Sequence, residues 1–235
     1  MWKLIKRLII ICLIMAICIT GYVIFSGYSM YKEAVSATSL DDKIKEIQSQ
    51  EDYISIKDIP QIYQNAVIAV EDHRFKEHDG IDYIATARAV VANLVDGELS
   101  QGGSTITQQL AKNLYFTQEK RFTRKVAELF VAFDLEKNYS KDDILELYIN
   151  TIYYGQGYYG LVQACEGFYK KYPTELTDYE ATYLVGIPNA PSIYSSDRHS
   201  DLAKQRHKQV LNAMVKYGYL TQEEADKIYN KWNLA

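Results

Sequence analysis

The sequence predicts a mainly α-helical protein with a transmembrane helix at its N-terminus. Three observations carry this. An uncharged run of 18 residues extends from Leu8 to Phe25. Apolar residues recur at helical spacing in one segment after another, as in Ile59, Ile62, Tyr63, Ala66, Val67 and Val70. Helix-start signatures recur too: Ser140-Lys141-Asp142-Asp143, Thr177-Asp178-Tyr179-Glu180 and Thr221-Gln222-Glu223-Glu224.

The N-terminal run comes first. At 1.5 Å of rise per residue it spans about 27 Å, close to the hydrocarbon thickness of a bilayer. Lys3, Lys6 and Arg7 precede it, and the next charge is Lys32. The bias of cations toward the inner side therefore predicts a cytoplasmic N-terminus and an outer location for the rest. A cleaved signal ending near Ala34-Val35-Ser36 is the competing reading, but the run is longer than the apolar region of a usual signal peptide. The expected organisation is a cytoplasmic tail at 1–7, an anchor at 8–25, a stalk at 26–57 and one folded domain at 58–235.

Composition bounds the rest. Charged residues at 24% and hydrophobic residues at 48% belong to a folded chain. Three of the 26 basic residues precede the anchor, leaving 23 against 30 acidic ones, which excludes a general nucleic-acid binder. Cys12, Cys18 and Cys165 make no disulfide framework, and Cys165 is expected as a lone buried thiol.

Within the stalk a short helical pattern covers Asp41 to Ile47, and Tyr53-Ile54-Ser55-Ile56 is strand-like. Asp58 is placed to cap the helix of Ile59 to Val70, with Pro60 in its first turn. That helix delivers Glu71 to its C-terminal end, where the negative pole of the backbone dipole disfavours a further negative charge. Glu71 opens a segment dense in ionisable groups, Glu71-Asp72-His73-Arg74-Phe75-Lys76-Glu77-His78-Asp79-Gly80. The segment reads either as a solvated helix end or as the home of a general base. Ile81 to Leu94 is an apolar helix with only Asp82 and Arg88 charged, suited to a core or to a surface that dips into a membrane.

After a loop at 97–103, Ser104 is expected to open the helix carrying Thr105, Gln108, Gln109, Lys112 and Asn113. Ile106, Leu110 and Leu114 form its buried stripe, leaving Gln108 and Lys112 together on another face. Glycines ahead of a helix start expose N–H groups to an anion, although the order of a phosphate-binding P-loop is missing. Lys112, Lys120, Arg121, Arg124 and Lys125, against Glu119, make a cationic patch in an acidic domain, fit for a phosphate-bearing ligand. Glu128 follows on a long helix from Thr123 to Asn138, where the cations at 124 and 125 favour its ionised form. Seven tyrosines lie between Tyr148 and Tyr172, readable as core or as stacking platforms for sugar rings. Arg206 lies on a helix from Leu202 to Tyr217. His73 and His78 are five apart, which misses the pairing of a helical zinc site and leaves the metal question open.

Together these residues closely resemble the peptidoglycan glycosyltransferases, the family that polymerises lipid II outside the bacterial membrane. The resemblance rests on an ordered set over about Asp58 to Asp226. Glu71-Asp72 with Phe75, His78 and Gly80 looks like the first motif of the family, and Gly103 to Asn113 like the second. Arg124-Lys125 with Glu128 looks like the third, Lys141 to Asn150 like the fourth, and Arg206 with Val210, Leu211 and Met214 like the fifth. The resemblance implies a lysozyme-like domain of two lobes around a cleft and an inverting glycosyl transfer. It implies Glu71 as the base for the acceptor's 4-hydroxyl and Glu128 as its partner at the pyrophosphate. Ser104, Thr105, Gln108, Gln109, Lys112, Asn113, Lys120, Arg121, Arg124, Lys125 and Arg206 would bind substrate and pyrophosphate, with a divalent cation, Mg or Mn, as an optional aid. Implied partners are lipid II, the lipid-linked growing glycan, the cell membrane and other cell-wall synthesis proteins.

Family members usually carry Arg eight residues before the second glutamate, where this chain has Lys120 beside Arg121. Ser-x-x-Lys occurs once, at Ser29-Met30-Tyr31-Lys32 just after the apolar run and ahead of all five motifs. With none after them, the resemblance is to a monofunctional enzyme without a transpeptidase domain. Two alternatives stand beside this reading: a lytic peptidoglycan glycosidase of lysozyme-like fold, in which carboxylate separation decides the outcome, and a non-enzymatic cell-wall scaffold. If the anchor is uncleaved, N-terminal sequencing of membrane-extracted protein begins at or near Met1. A start at Ala37 shows a cleaved signal instead.

Overall fold

The computed structural model describes residues 2–96, 102–116, 122–196 and 200–231. Among them there is no strand, only one antiparallel bridge between Tyr153 and Tyr159. Helix α1 (Trp2–Ala37) is followed by α2 (Leu40–Gln48), α3 (Gln61–Glu71), α4 (Tyr83–Asp96) and α5 (Ile106–Tyr115). Then come α6 (Phe122–Asn138), α7 (Lys141–Thr151), α8 (Gly160–Tyr169), α9 (Asp178–Gly186), α10 (Pro191–Tyr194), α11 (Asp201–Lys216) and α12 (Gln222–Tyr229). The mainly α expectation holds.

Helix α1 is long and apolar enough to cross a membrane, with a mean hydropathy of 2.9 over its most apolar window. Its 36 residues make a rod of about 54 Å, well beyond a bilayer's hydrocarbon core. The surplus packs against α6. At Gly27 an added Cβ would lie 2.5 Å from that of Val126, so only glycine permits this approach. Tyr28 meets Phe130 edge-on with ring centres 5.2 Å apart, and the Tyr31 hydroxyl donates to Asp134 at 2.6 Å.

Residues 26–57, expected as a stalk, are therefore packed on the domain. Leu40, Ile44 and Ile47, one stripe of α2, are buried in the main core. The strand-like Tyr53–Ile56 is not a strand, because its backbone groups find side chains instead of a neighbouring strand. Asn150 accepts from the Ile54 N–H at 2.9 Å and donates to the Ile54 carbonyl at 2.9 Å. Glu146 accepts from the Ile56 N–H at 2.6 Å and from the Tyr53 hydroxyl. Asp58 ends a short 3-10 turn, Ile56–Asp58, so Pro60 is the N-cap of α3 and Asp58 is not.

Ser104 is likewise not the cap of α5. Thr105 is, and it forms a reciprocal capping box with Gln108. Its hydroxyl also donates to the Gly80 carbonyl at 2.7 Å. Gly80 has φ +83°, the left-handed region that favours glycine. The boxes at Ser140, Thr177 and Thr221 form as expected.

Helices α3, α9, α11 and α12 pack on one another as one lobe, and α1, α5, α6 and α7 as the other. Glu71, at the end of α3, faces Gln109 on α5 across the gap between them. Helix α4 is not core: Tyr83, Ile84, Val90 and Val91 are exposed.

His207 on α11 is buried against Thr182, with its Nε2 2.8 Å from the hydroxyl. Burial pushes its pKa down from 6.5 to about 4. Between those values the unfolded chain binds a proton that the folded chain does not, so stability falls as pH drops from about 6.5 to about 4. His207→Gln, which retains a hydrogen-bonding partner for Thr182, should flatten that part of the curve. Melting temperatures of both proteins across the window check this.

Candidate active site

The site is built on the ends of α3 and α5. Glu71 occupies the last turn of α3 with its side chain 18% exposed, reachable but not freely solvated. Gln109 donates to Glu71 Oε2 at 2.8 Å, and Arg206 Nη2 lies 3.8 Å from Oε1. Gln109 is itself oriented, because the buried Tyr148 hydroxyl points at its Oε1 across 3.4 Å. An amide held that way presents its donor to the carboxylate and not its acceptor. Arg206 Nε donates to the Gly186 carbonyl at 3.3 Å, which fixes the guanidinium over the site.

Asp72, the next residue, performs a different task. It is 6% exposed and accepts from the Ile106 N–H at 3.1 Å. It also lies 2.9 Å from His78 Nε2. Its charge thus sits at the N-terminal end of α5, where orphan N–H groups favour an anion. Asp82 is buried beside it in a bidentate pair with Arg74. Burial opposes its charge, yet Arg74 and the Ala85 N–H outweigh that and hold its pKa down at about 2.

The second glutamate lies on α6. Glu128 is fully buried, with Arg124 Nε at 3.1 Å and Lys125 Nζ at 2.8 Å. Lys125 also donates to Ser104 at 3.0 Å, which brings the loop before α5 to the same cluster. Lys112 on α5 completes it. Burial lowers its pKa, and it lies within electrostatic reach of Glu128, Lys125, Arg124 and Glu71. A cation that loses hydration on folding is poised to regain stability from an incoming anion.

Two cavities flank this arrangement. The smaller, about 110 Å³, is walled by Glu71, His73, Arg88, Ser104 and Tyr217. His73 and Tyr217 stack with ring centres 4.1 Å apart. Burial, followed by the charge of Arg88, lowers the His73 pKa. The larger cavity, about 460 Å³, is walled by Gln109, Lys112, Asn113, Tyr148, Tyr153 and Asn189.

The structure thus gathers Glu71, Gln109 and Arg206 in one group and Lys112, Arg124, Lys125 and Glu128 in another. Ser104 is bonded to Lys125 yet walls the same cavity as Glu71, and Asn113 is on the wall of the larger cavity. Thr105 and Gln108, expected to bind substrate, are buried and form the capping box of α5. Lys120 and Arg121 lie outside the described residues. Tyr217 and Asn189 line the site without a sequence signal of their own, because each comes from a segment remote from the glutamates, whereas Tyr148 belongs to the tyrosine-rich segment and the fourth motif. Among the described residues no three His, Cys, Asp or Glu side chains gather as a metal site. Glu128 has Arg124 and Lys125 as its charged partners.

The two glutamates differ in what they support. Glu128→Gln keeps the shape but leaves Arg124 and Lys125 uncompensated, and should lower the unfolding free energy by about 1–3 kcal/mol. Glu71→Gln, at a partly open rim, should change it by about 0.5 kcal/mol or less. Denaturant unfolding of the solubilised protein measures both.

A model of the transglycosylase family matches residues 40–215. The chain is 43% identical over 202 residues to penicillin-binding protein 1A of Neisseria lactamica, covering 85% of this chain and 25% of that protein. It is 40% identical over 234 residues to penicillin-binding protein 1F of Bacillus subtilis (strain 168), covering 95% and 33%. It thus spans a quarter to a third of the length of these curated relatives. With the matched region containing both glutamates, the cations between them and Arg206, the chain belongs to the transglycosylase family, the peptidoglycan glycosyltransferases.

Proposed function

We propose that this chain is a membrane-anchored glycosyltransferase that polymerises lipid II into glycan strands, releasing undecaprenyl pyrophosphate with inversion at the anomeric carbon. The observation that carries this is the presence of two distinct groups. One is the partly exposed carboxylate of Glu71, and the other is the set of cations Lys112, Arg124 and Lys125 gathered around the buried Glu128.

In this reading Glu71 takes the proton of the acceptor's 4-hydroxyl as that oxygen bonds to the anomeric carbon of the growing chain. The bond from that carbon to the pyrophosphate oxygen breaks on the opposite face, and the leaving group carries away the electron pair. An alcohol requires a base, and a departing pyrophosphate requires donors already aimed at it. Gln109 and Arg206 hold the Glu71 carboxylate in one orientation, and Glu128 holds Arg124 and Lys125 on the leaving-group side. Hydrolysis of an uncharged glycosidic bond has no use for that cluster, which disfavours the lytic alternative.

The lipid substrate explains the apolar surface. Helix α1 anchors the domain with its N-terminus in the cytoplasm and the catalytic part outside. Tyr83, Ile84, Val90 and Val91 of α4, together with Phe122, are exposed and suit a lobe that rests in the membrane. A substrate tethered in the bilayer then reaches the cleft without leaving it. The partners are lipid II, the lipid-linked strand, the membrane and other cell-wall synthesis proteins.

Glu71→Gln keeps the shape of the side chain but removes a base that works at neutral pH. It should cut polymerisation of lipid II by the detergent-solubilised protein about a hundredfold or more. Activity above about a hundredth of wild type would remove Glu71 from that role.

A further inference from the structure

The larger cavity at Lys112 does not end at its own wall. Asn113 lines it and also lines a neighbouring cavity of about 250 Å³, whose other walls include Lys43, Gln50 and Tyr159. The two are linked a second time by an aromatic pair. Tyr153 belongs to the first cavity and Tyr159 to the second, with ring centres 4.7 Å apart and planes inclined at 37°. Both rings are exposed, at 39% and 56%, whereas Tyr148 and Tyr154 of the same segment are buried.

This exposure is built into the backbone. Residues 152–160 close on themselves through Tyr154 N–H to the Tyr158 carbonyl at 2.9 Å and Gly160 N–H to the Ile152 carbonyl at 2.9 Å. Gly160 has φ +76°, and a Cβ there would lie 2.8 Å from the Asn150 carbonyl oxygen. The loop is thereby pinned to the end of α7, and its two rings are held over the groove. Rigid aromatic faces beside polar groups suit a ligand with apolar C–H faces and a rim of hydroxyls, which describes a pyranose ring.

We infer that the elongating glycan runs from the Lys112 cavity across the Tyr153–Tyr159 pair into the second cavity, beside α2. The ligand is the β-linked amino-sugar strand, and the groove would keep a long product engaged between additions. This rests on the proposed polymerase reading, in which the growing chain has its pyrophosphate end at Lys112 and must extend away from Glu71. Segment α2 would thus serve as a wall of the product path as well as part of the core.

Two measurements test it, both on the full chain in detergent. First, calorimetric titration with lipid-free peptidoglycan oligosaccharides of increasing length should show affinity rising with length in the wild type. Tyr159→Ala should lose about three- to tenfold for the long oligosaccharides, the scale of one lost stacking contact, and little for the shortest. Second, polymer made from lipid II by Tyr159→Ala should be shorter, with an unchanged initial rate of the first coupling. Tyr159→Phe, which keeps the ring, should match wild type in both. Gln50→Trp, which fills the second cavity from the opposite wall, should shorten the product even if Tyr159→Ala folds poorly. Equal affinities and equal strand lengths in wild type, Tyr159→Ala and Gln50→Trp would overturn the groove while leaving the polymerase reading intact. A wild type that makes no polymer from lipid II would overturn that reading and this inference with it.

Discussion

The arrangement of the site depends on one buried carboxylate. Asp72 binds the first N–H of α5 and the His78 ring at once, and so ties the end of α3 to the start of α5. That tie adds a backbone link to the Gln109–Glu71 hydrogen bond that already joins the two helix ends. The charge can be buried because it has two polar partners and the positive end of a helix, each of which lowers the cost of removing it from water. Thr105 adds a second stitch by capping α5 and donating to Gly80. Chemistry and scaffold are therefore adjacent in sequence but divided in labour: one acidic residue is left reachable and its neighbour is spent on position.

The cluster on α6 uses the same logic with the signs reversed. Glu128 is fully buried, a position in which a carboxylate is rarely found unless paired. Its partners are on its own helix, at three and four residues' distance, so a helical backbone alone brings them into register. The result is a compact cationic surface that the fold assembles before any ligand arrives. The lowered pKa of Lys112 fits such a site, since burial there disfavours its charge until an anion supplies compensation. The region that carries this cluster is held from behind by α1. The glycine seam at Val126 and the Tyr31–Asp134 bond join the membrane anchor directly to α6. Helices α1 and α6 form one packed unit.

Much of this was legible before any coordinates. Helical spacing marked α3, α4, α5 and α6, and the capping boxes marked the starts of α7, α9 and α12, because both signals are local and arise within a few residues of chain. The pairing of Glu128 with Arg124 and Lys125 is local for the same reason. The errors were also instructive. Tyr53 to Ile56 alternates like a strand, but an alternating segment becomes one only if a neighbour offers its backbone, and here Asn150 and Glu146 offer side chains instead. Thr105 and Gln108, expected among the binding groups, form the capping box of α5.

What the sequence determined by itself was the helical class, the apolar N-terminal helix and the cations near Glu128, which follow from composition, periodicity or short spacing. The choice of Glu71 and Glu128 as a pair came from the resemblance of the ordered motifs. Only the tertiary structure decided that Gln109 is the donor to Glu71, that Tyr148 orients Gln109, that residues 26–57 are packed and that two of the seven clustered tyrosines stand open as a pair. All but the tyrosine pair, which one local loop holds, depend on contacts between segments tens of residues apart. Such contacts are set by how whole helices pack, and no local pattern in the chain encodes which remote side chain will meet a given one.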